Sequence, residues 1–356
     1  MIELTRAQAV VNLSAIRNNF IRASGGAPAV AVIKADAYGH GAREVACALR
    51  GLPLAFAVAT LSEANYLDAC DTPIIILGDG YQPEFNEAIE KGYIVSVGTA
   101  ENAKLLSLEA GEDEALAVLA INTGMNRAGI DYRNIDEIAS CFELKGVRIV
   151  GLYSHPARLH DRVFTDMQRA RLRELCDALK ARGIEVPISF ESSEFTGERE
   201  FIQRIGISLY GCPHESGASC DYEPAMTVRA AVLSTRVVEK GDFVGYETAF
   251  EADRTMQIAT IALGYADGVP RNYGEGGSFL IKGKRARVIG AVSMDAVTVI
   301  VDGIDCAAGD IATYIGRDGD DEITCSEVAK ISGKIPYEIT TCLGNRVERI
   351  YKEASI

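Results

Sequence analysis

Long apolar runs, paired cysteine motifs and blocks of positive charge are all missing from this sequence of 356 residues. No apolar stretch approaches the roughly 18 residues that a membrane-spanning helix needs. The N-terminal stretch MIELTRAQAVVNLSAIRNNF lacks the basic region and apolar region of a secretory signal. We therefore expect no membrane span and a cytoplasmic location.

The nine cysteines are scattered, odd in number and without C-x-x-C spacing. That distribution argues against a disulfide framework and against a zinc site, and it predicts reduced thiols. The net charge of -14, with no Lys/Arg cluster to offset it, argues against nucleic acids and anionic membrane surfaces as partners. A small molecule is the expected partner, and no metal is expected.

What the sequence does contain, from residue 29 onwards, is a regular alternation of short apolar runs and amphipathic stretches. Continuous apolar runs bounded by turn residues are typical of parallel strands buried on both faces. The predicted strands cover residues 29–33, 54–59, 73–79, 94–98, 115–122, 147–155, 186–190 and 204–211. Eight strand-helix alternations within roughly 200 residues favour a (β/α)8 barrel over an open doubly wound sheet.

After about residue 222 the sequence changes to β-like runs separated by Gly and Asp turns, such as MQIATIALGYADG. We therefore predict two domains. A barrel domain covers residues 1–222, and a smaller, mostly β domain with a partly helical tail covers residues 223–356.

Lys34 ends the first apolar run of the predicted barrel, PAVAVIK. Burial lowers the pKa of an amine and leaves part of it neutral and nucleophilic, which is what a Schiff-base lysine requires. A snorkelling lysine at a strand end is the simpler alternative, and this segment alone does not decide between the two.

Further polar residues follow, end or begin other predicted strands, and in a barrel the active site is built where the strands end. They are Arg127, His155, Ser192 with Ser193, and Arg204 with Gly206. Taken singly, His155 reads as a core histidine and Arg127 as a surface ion-pair partner. Taken together with Lys34, they suit a phosphorylated cofactor joined to a lysine.

Six motifs, in the same order along the chain, resemble those of the alanine racemase family, whose members are fold-type III enzymes that use pyridoxal 5'-phosphate. They are AVIKADAYGHG, NTGMNRAGI, RIGISLYG, ALGYADGVPR, VSMDAV and YEITTCLGNRVERIY. The first resembles the family's cofactor-lysine motif and the fourth its catalytic-tyrosine motif.

The resemblance implies an isomerase that interconverts L- and D-alanine through a pyridoxal phosphate aldimine with two-base proton transfer. The implied bases are Lys34 and Tyr265, and in the family the tyrosine reaches the cofactor of the other subunit, so a homodimer is implied. The implied cofactor-binding residues are Lys34, Tyr38, His155, Ser193, Arg204, Gly206, Ile207 and Tyr337. Arg127 and Met294 are the implied substrate-binding residues.

Several positions depart from the family pattern. Ala120 and Asn122 stand where many members have a lysine and an aspartate near the substrate arginine, and Ser189 stands in place of a histidine. A preference for serine or another small amino acid is therefore an open alternative. Pyridoxal-dependent decarboxylation is disfavoured by Arg204 at the ring nitrogen, and a non-enzymatic cofactor carrier is disfavoured by the β domain with Tyr265.

Overall fold

The computed structural model describes residues 6–67, 71–158, 161–192, 200–212 and 222–353. The chain divides into two compact units. One unit, called the barrel unit below, comprises Phe20–Ala37 and Leu49–Gly206. The other, called the β unit, comprises Met1–Asn19, Tyr38–Ala48 and Ile207–Ile356.

The strands of the described residues range in length from 2 to 13 residues. In chain order they are β1 (Ala7–Asn12), β2 (Ala29–Val32), β3 (Ala55–Val58), β4 (Ile74–Ile76), β5 (Ile94–Val97), β6 (Ala115–Asn122), β7 (Ile130–Asp131), β8 (Val147–Tyr153), β9 (Ile188–Ser192), β10 (Ile202–Ile205), β11 (Met226–Val238), β12 (Phe243–Val244), β13 (Phe250–Glu251), β14 (Met256–Ile261), β15 (Ser278–Ile281), β16 (Lys284–Ile289), β17 (Val297–Ile300), β18 (Ile311–Asp318), β19 (Asp321–Ile323) and β20 (Glu348–Lys352).

The helices alternate with the barrel strands and return near the C-terminus. They are α1 (Leu13–Ser24), α2 (Lys34–Gly39), α3 (Ala42–Ala48), α4 (Leu61–Tyr66), α5 (Phe85–Glu90), α6 (Ala100–Ala110), α7 (Ile135–Cys141), α8 (Arg162–Lys180), α9 (Cys325–Ser332) and α10 (Pro336–Thr341). Side chains of Thr60, Thr99 and Asp161 accept backbone N–H bonds at the starts of α4, α6 and α8, which fixes where these helices begin.

Eight parallel strands close into a barrel in the order β2-β3-β4-β5-β6-β8-β9-β10, and β10 pairs back to β2. All residues of β2, β3 and β5 are buried, as expected for strands covered on both faces. The predicted (β/α)8 barrel with a mostly β C-terminal part is confirmed.

The eighth strand differs from its prediction over residues 204–211. β10 ends at Ile205, and Ile207–Tyr210 forms a 3-10 turn whose side chains are all buried. A buried 3-10 turn and a buried strand are both apolar runs, so the sequence pattern could not separate them.

The β unit contains a nine-stranded sheet with the order β19-β18-β15-β16-β17-β14-β11-β1-β20. β1 pairs antiparallel with β11 and parallel with β20, and Ala7 lies opposite Ala230. Residues 7–12, which the predicted boundary assigns to the barrel domain, therefore belong to the sheet of the β unit. The boundary between residues 222 and 223 itself stays a prediction.

No helix in the described part of the chain is long and apolar enough to cross a membrane. Within the same residues, no group of three or more His, Cys, Asp or Glu side chains is arranged to hold a metal ion.

Candidate active site

Lys34 lies just after β2, at the first residue of a single helical turn, α2, of unusual hand. The four residues that follow it, Ala35 to Tyr38, all have φ between 52° and 54°. A left-handed conformation costs a non-glycine residue roughly 1–2 kcal/mol, so four in succession form a strained turn. Such strain is found mainly where the surrounding structure enforces it at a functional site.

Glu63, in α4, holds the start of this turn. Its Oε1 accepts the backbone N–H of Ala35 at 2.8 Å, and its Oε2 accepts that of Ala59 at 2.7 Å. Hydrogen bonds to a carboxylate are stronger than those to neutral acceptors, so both backbone groups are firmly held. The sequence analysis missed Glu63, because nothing in the helix pattern distinguishes it from a surface glutamate.

The Lys34 amine lies in a half-buried and cationic environment. Burial is the main cause that lowers its pKa, the positive charges of Arg127 and Arg204 lower it further, and Glu63 acts in the opposite direction. A lowered pKa increases the neutral, nucleophilic fraction of the amine. The role of Lys34 as a Schiff-base lysine stays a prediction.

Arg204, in β10, is fixed entirely by uncharged groups. Its Nη1 donates to the Ser189 carbonyl at 2.9 Å and to Ser189 Oγ at 2.8 Å, and its Nη2 donates to the Ser154 carbonyl at 2.6 Å. The guanidinium also lies 5.2 Å from the ring centroid of Tyr153. Burial lowers the pKa of Arg204 to about 10, which leaves it a cation at neutral pH. No acidic side chain in the described part of the chain pairs with it.

His155 follows β8 and lies against Arg204. Arg204 Nη2 is 3.2 Å from His155 Nδ1, and because a guanidinium can only donate, Nδ1 accepts and the ring proton is on Nε2. Burial of the ring among its neighbours, then the charges of Arg204, Arg127 and Lys34, lower the pKa of His155 to about 3, although by accessible surface the residue is exposed. The ring is therefore neutral at physiological pH.

Arg127 lies in the loop between β6 and β7, with an exposed side chain. Its charge lowers the pKa of both Lys34 and His155, which places it in the same cationic group. The barrel unit therefore brings together four of the predicted site residues: Lys34, Arg127, His155 and Arg204.

In the β unit, Tyr38 packs among other aromatic rings. Its ring centroid is 5.1 Å from that of Tyr210 and 5.9 Å from that of Tyr337. Burial raises the pKa of Tyr38 to about 12, so its hydroxyl stays protonated and able to donate. Ile207 is buried and begins the 3-10 turn in the β unit, and Gly206 precedes it as the last residue of the barrel unit. Ser193 lies outside the described residues.

Tyr265 and Met294, which the motifs singled out separately, lie on two paired loops of the β unit. The backbone N–H of Tyr265 donates to Ser293 O and that of Ala266 donates to Met294 O, both at 3.0 Å. A Cβ on Gly264 would lie 2.4 Å from Met294 O, so only glycine allows this approach. The Tyr265 residue is 44% exposed and the Met294 residue 51%.

An ion-pair network that the sequence analysis missed holds these two loops together. Asp267 is buried and accepts hydrogen bonds from the Gly264 backbone at 2.8 Å and from Arg346 Nε at 2.9 Å. Arg346 also pairs with Asp295 at 2.6 Å, next to Met294. Removing one partner of such a network would leave a buried carboxylate unpaired, which is costly.

The Lys34 amine and the two arginines near it suit a phosphorylated aldehyde bound to a lysine. An amine with a lowered pKa is grouped with two arginines, and among the described residues Glu63 is the only acidic group that acts on this amine. Such a group would attract an anion, and the neutral fraction of the Lys34 amine would be able to attack a carbonyl.

A closed parallel barrel with a lysine of lowered pKa beyond its first strand, together with a mostly β unit, defines a barrel enzyme with a second, mostly β unit. Family models extend this to a particular family: the alanine racemase N-terminal domain matches residues 11–214 and the alanine racemase C-terminal domain matches residues 225–351. The chain belongs to the alanine racemase family.

Individual relatives agree along nearly the whole chain. The alanine racemase of Carboxydothermus hydrogenoformans is 36% identical over 370 residues, covering 96% of this chain and 98% of the relative. The structure of Bacillus anthracis alanine racemase with bound L-Ala-P has a TM-score of 0.90 at 29% identity, covering 98% of this chain and 95% of that one. The structure of Bartonella henselae alanine racemase with covalently bound pyridoxal phosphate has a TM-score of 0.88 at 27% identity, covering 98% of this chain and 100% of that one.

Proposed function

We propose that this protein interconverts L- and D-alanine, with pyridoxal 5'-phosphate as its cofactor and Lys34 as the residue that carries it. The observation that supports this most is the setting of Lys34: a half-buried amine with a lowered pKa, next to Arg127 and Arg204, in a chain of the alanine racemase family. When bound, the cofactor supplies an electron-withdrawing ring system that makes the α-proton of the amino acid acidic.

The residues proposed to hold the cofactor are Lys34, Tyr38, His155, Ser193, Arg204, Gly206, Ile207 and Tyr337. Tyr38 is suited to donate a hydrogen bond to the phosphate because its pKa is raised to about 12. Gly206 and Ile207 are proposed to bind the phosphate through their backbone N–H groups, which requires no side chain between the backbone and the phosphate. Arg204 presents only donors and keeps its charge, so it does not give a proton to the pyridine nitrogen.

Two proton carriers are needed, one on each face of the α-carbon. Lys34 Nζ is proposed to take and return the proton on one face, and Tyr265 Oη on the other. His155 holds its proton on Nε2 because Arg204 donates to Nδ1, so its free N–H can donate to a phenolate oxygen.

Arg127 is proposed to bind the carboxylate of the amino acid, and the backbone at Met294 to orient it. Arg127 is a suitable partner because its planar guanidinium matches a carboxylate in a bidentate geometry. Its side chain is exposed and makes no hydrogen bond or ion pair within the part of the chain that the structure describes.

We propose further that the protein is a cytoplasmic homodimer with active sites shared between subunits. Exposure of the Tyr265 and Met294 residues, at 44% and 51%, is consistent with a surface that a second subunit completes. The proposed location rests on the scattered cysteines, none of which is paired among the described residues.

The test is a D-amino-acid oxidase coupled assay on the purified holoenzyme, with L-alanine and L-serine compared by kcat/KM. We expect turnover of L-alanine with the higher kcat/KM, and loss of it in Lys34→Ala and Tyr265→Phe. Borohydride treatment followed by peptide mass mapping should place the cofactor on Lys34. Wild-type turnover by Tyr265→Phe would remove the two-base assignment, and a higher kcat/KM for serine would change the substrate.

A further inference from the structure

The loop that carries Arg127 is organised by one side chain, that of Asn122 at the end of β6. Asn122 Oδ1 accepts the backbone N–H of Gly124 at 3.0 Å and that of Asn126 at 3.1 Å. Asn122 Nδ2 donates to Asn126 Oδ1 at 2.8 Å. Three hydrogen bonds from one amide therefore close the segment immediately before Arg127.

The backbone of this loop needs the closure, because Asn126 has φ of 57°. Asparagine is one of the few non-glycine residues that adopts the left-handed region readily. Asn126 is the residue directly before Arg127, so its conformation sets the direction in which the chain presents the guanidinium.

Both ends of the loop are fixed as well. A Cβ on Gly129 would lie 2.8 Å from Asn122 N, which shows how closely the returning chain packs on β6. Thr123 is buried, and its Oγ1 accepts from Gln168 Nε2 at 2.9 Å while its carbonyl accepts from Arg171 at 2.6 Å. The loop is therefore held between two rigid points.

Arg127 itself makes no side-chain hydrogen bond or ion pair among the described residues, and it acts on neighbouring groups such as Lys34 and His155 only through its charge. No described residue holds the Arg127 guanidinium in place through a hydrogen bond or an ion pair. Its position therefore depends on the backbone, and the backbone depends on Asn122.

We propose that Asn122 is the positioning residue for Arg127 and thereby sets the affinity of the site for the carboxylate of the substrate. The proposal rests on the proposed role of Arg127 in binding that carboxylate. Asn122 acts through the loop and does not touch the ligand, so its removal should affect binding of carboxylates more than the rate of the bound complex.

The experiment measures binding of propionate, a carboxylate without an amine, to the holoenzyme by titration calorimetry. Asn122→Ala removes all three hydrogen bonds and should weaken propionate binding about tenfold. Its KM for alanine should rise by a similar factor, while kcat changes less than about threefold. Asn122→Asp keeps both backbone acceptors and should bind propionate within about twofold of the wild type.

A second pair of variants keeps the test valid if Asn122→Ala does not fold. Asn126→Gly preserves the left-handed conformation and should retain propionate affinity, whereas Asn126→Ala strains it and should weaken binding several-fold. Thermal unfolding of each variant is measured alongside, since a cap with a purely structural role would lower the melting temperature without changing propionate affinity.

Different results would contradict the proposed role of Arg127 and the proposed role of Asn122. If Arg127→Gln binds propionate as the wild type does, the proposed role of Arg127 is wrong. If Arg127→Gln loses binding while Asn122→Ala and Asn126→Ala retain wild-type affinity, Asn122 is only a structural cap and the inference is overturned.

Discussion

At the scale of single residues, the Lys34 amine is tuned by opposing charges. Burial and two arginines lower its pKa, and the Glu63 carboxylate, which accepts the backbone N–H groups of Ala35 and Ala59, raises it. Glu63 thus has two effects at once: it holds the strained turn, and it keeps the amine from losing its proton too readily.

Glu63→Gln should separate these effects. Removing the negative charge lowers the pKa of Lys34 further, so the pH at which Lys34 becomes half-reactive toward an amine-modifying reagent should fall in the cofactor-free protein. One backbone N–H also loses its acceptor, at a cost of about 1–3 kcal/mol in the free energy of unfolding. Peptide mass spectrometry across a pH series gives the first quantity, and urea unfolding the second.

Glu109→Gln is the control, because Glu109 accepts a hydrogen bond from Gln82 and is not among the groups that act on Lys34. An unchanged pH profile in Glu63→Gln, with the control also unchanged, would mean that Glu63 holds only the backbone.

His155 gives a pH prediction of its own. The pKa of about 3 in the folded protein lies below the ordinary 6.5, so the folded state binds fewer protons than the unfolded state between these values. This contribution to stability is fully present above pH 6.5 and is lost as the pH falls toward 3. In His155→Gln, stability of the cofactor-free protein should therefore fall less between pH 7.5 and pH 5 than in the wild type. Urea midpoints at the two pH values measure this difference. An equal loss of stability between pH 7.5 and pH 5 in the variant and the wild type would contradict the prediction.

At the scale of elements, the left-handed turn after Lys34 is the least expected feature of the chain. Ala35 is exposed and has φ of 52°, a conformation that glycine adopts without strain. Ala35→Gly should leave stability unchanged or raise it by about 1 kcal/mol, because the relief of strain offsets the added entropy of the unfolded chain.

Ala170, exposed within the right-handed helix α8, is the matched control. The same change there should cost about 1 kcal/mol. Chemical unfolding of the two variants tests the sign, and equal losses at both positions would show that the turn after Lys34 is not strained.

The barrel strands could be predicted from sequence because parallel strands buried on both faces leave a local signal, as in AVAV of β2 and AFAV of β3. The left-handed turn leaves none: KADAY is ordinary helix-forming sequence, and its hand is imposed by groups such as Glu63 that lie elsewhere in the chain. The same limit explains why β1 was missed, since β11 and β20 lie at the far end of the sequence.

The candidate site divides in a similar way. Lys34, Arg127, His155 and Arg204 could be found because they lie in or directly after barrel strands, and Tyr265 and Met294 because they lie in specific motifs. Supporting side chains could not be found, because their partners are backbone groups and side chains that only the fold brings near. Gln168 is an example: buried in α8, it links the Thr123 side chain to the His155 carbonyl.

At the scale of the whole molecule, the proposed homodimer places the two proposed bases of one active site on different chains. Lys34 lies in the barrel unit and Tyr265 in the β unit, on paired loops stabilised by Asp267 and Arg346. If the two bases of one site come from different subunits, each chain supplies half of two sites, as expected for an isologous dimer.

Mixing two inactive variants tests this arrangement directly. Lys34→Ala and Tyr265→Ala should each be inactive alone, and their heterodimer should contain one site with both bases intact and one with neither. Random reassociation of equal amounts should therefore restore roughly a quarter of wild-type alanine racemisation, because half of the dimers are mixed and each has one of two sites. If the bases of a site came from one chain, no dimer in the mixture would contain an intact site and activity would stay at the level of the separate variants. Size-exclusion chromatography of differently tagged chains confirms that exchange has occurred, so that a lack of activity counts against the shared site.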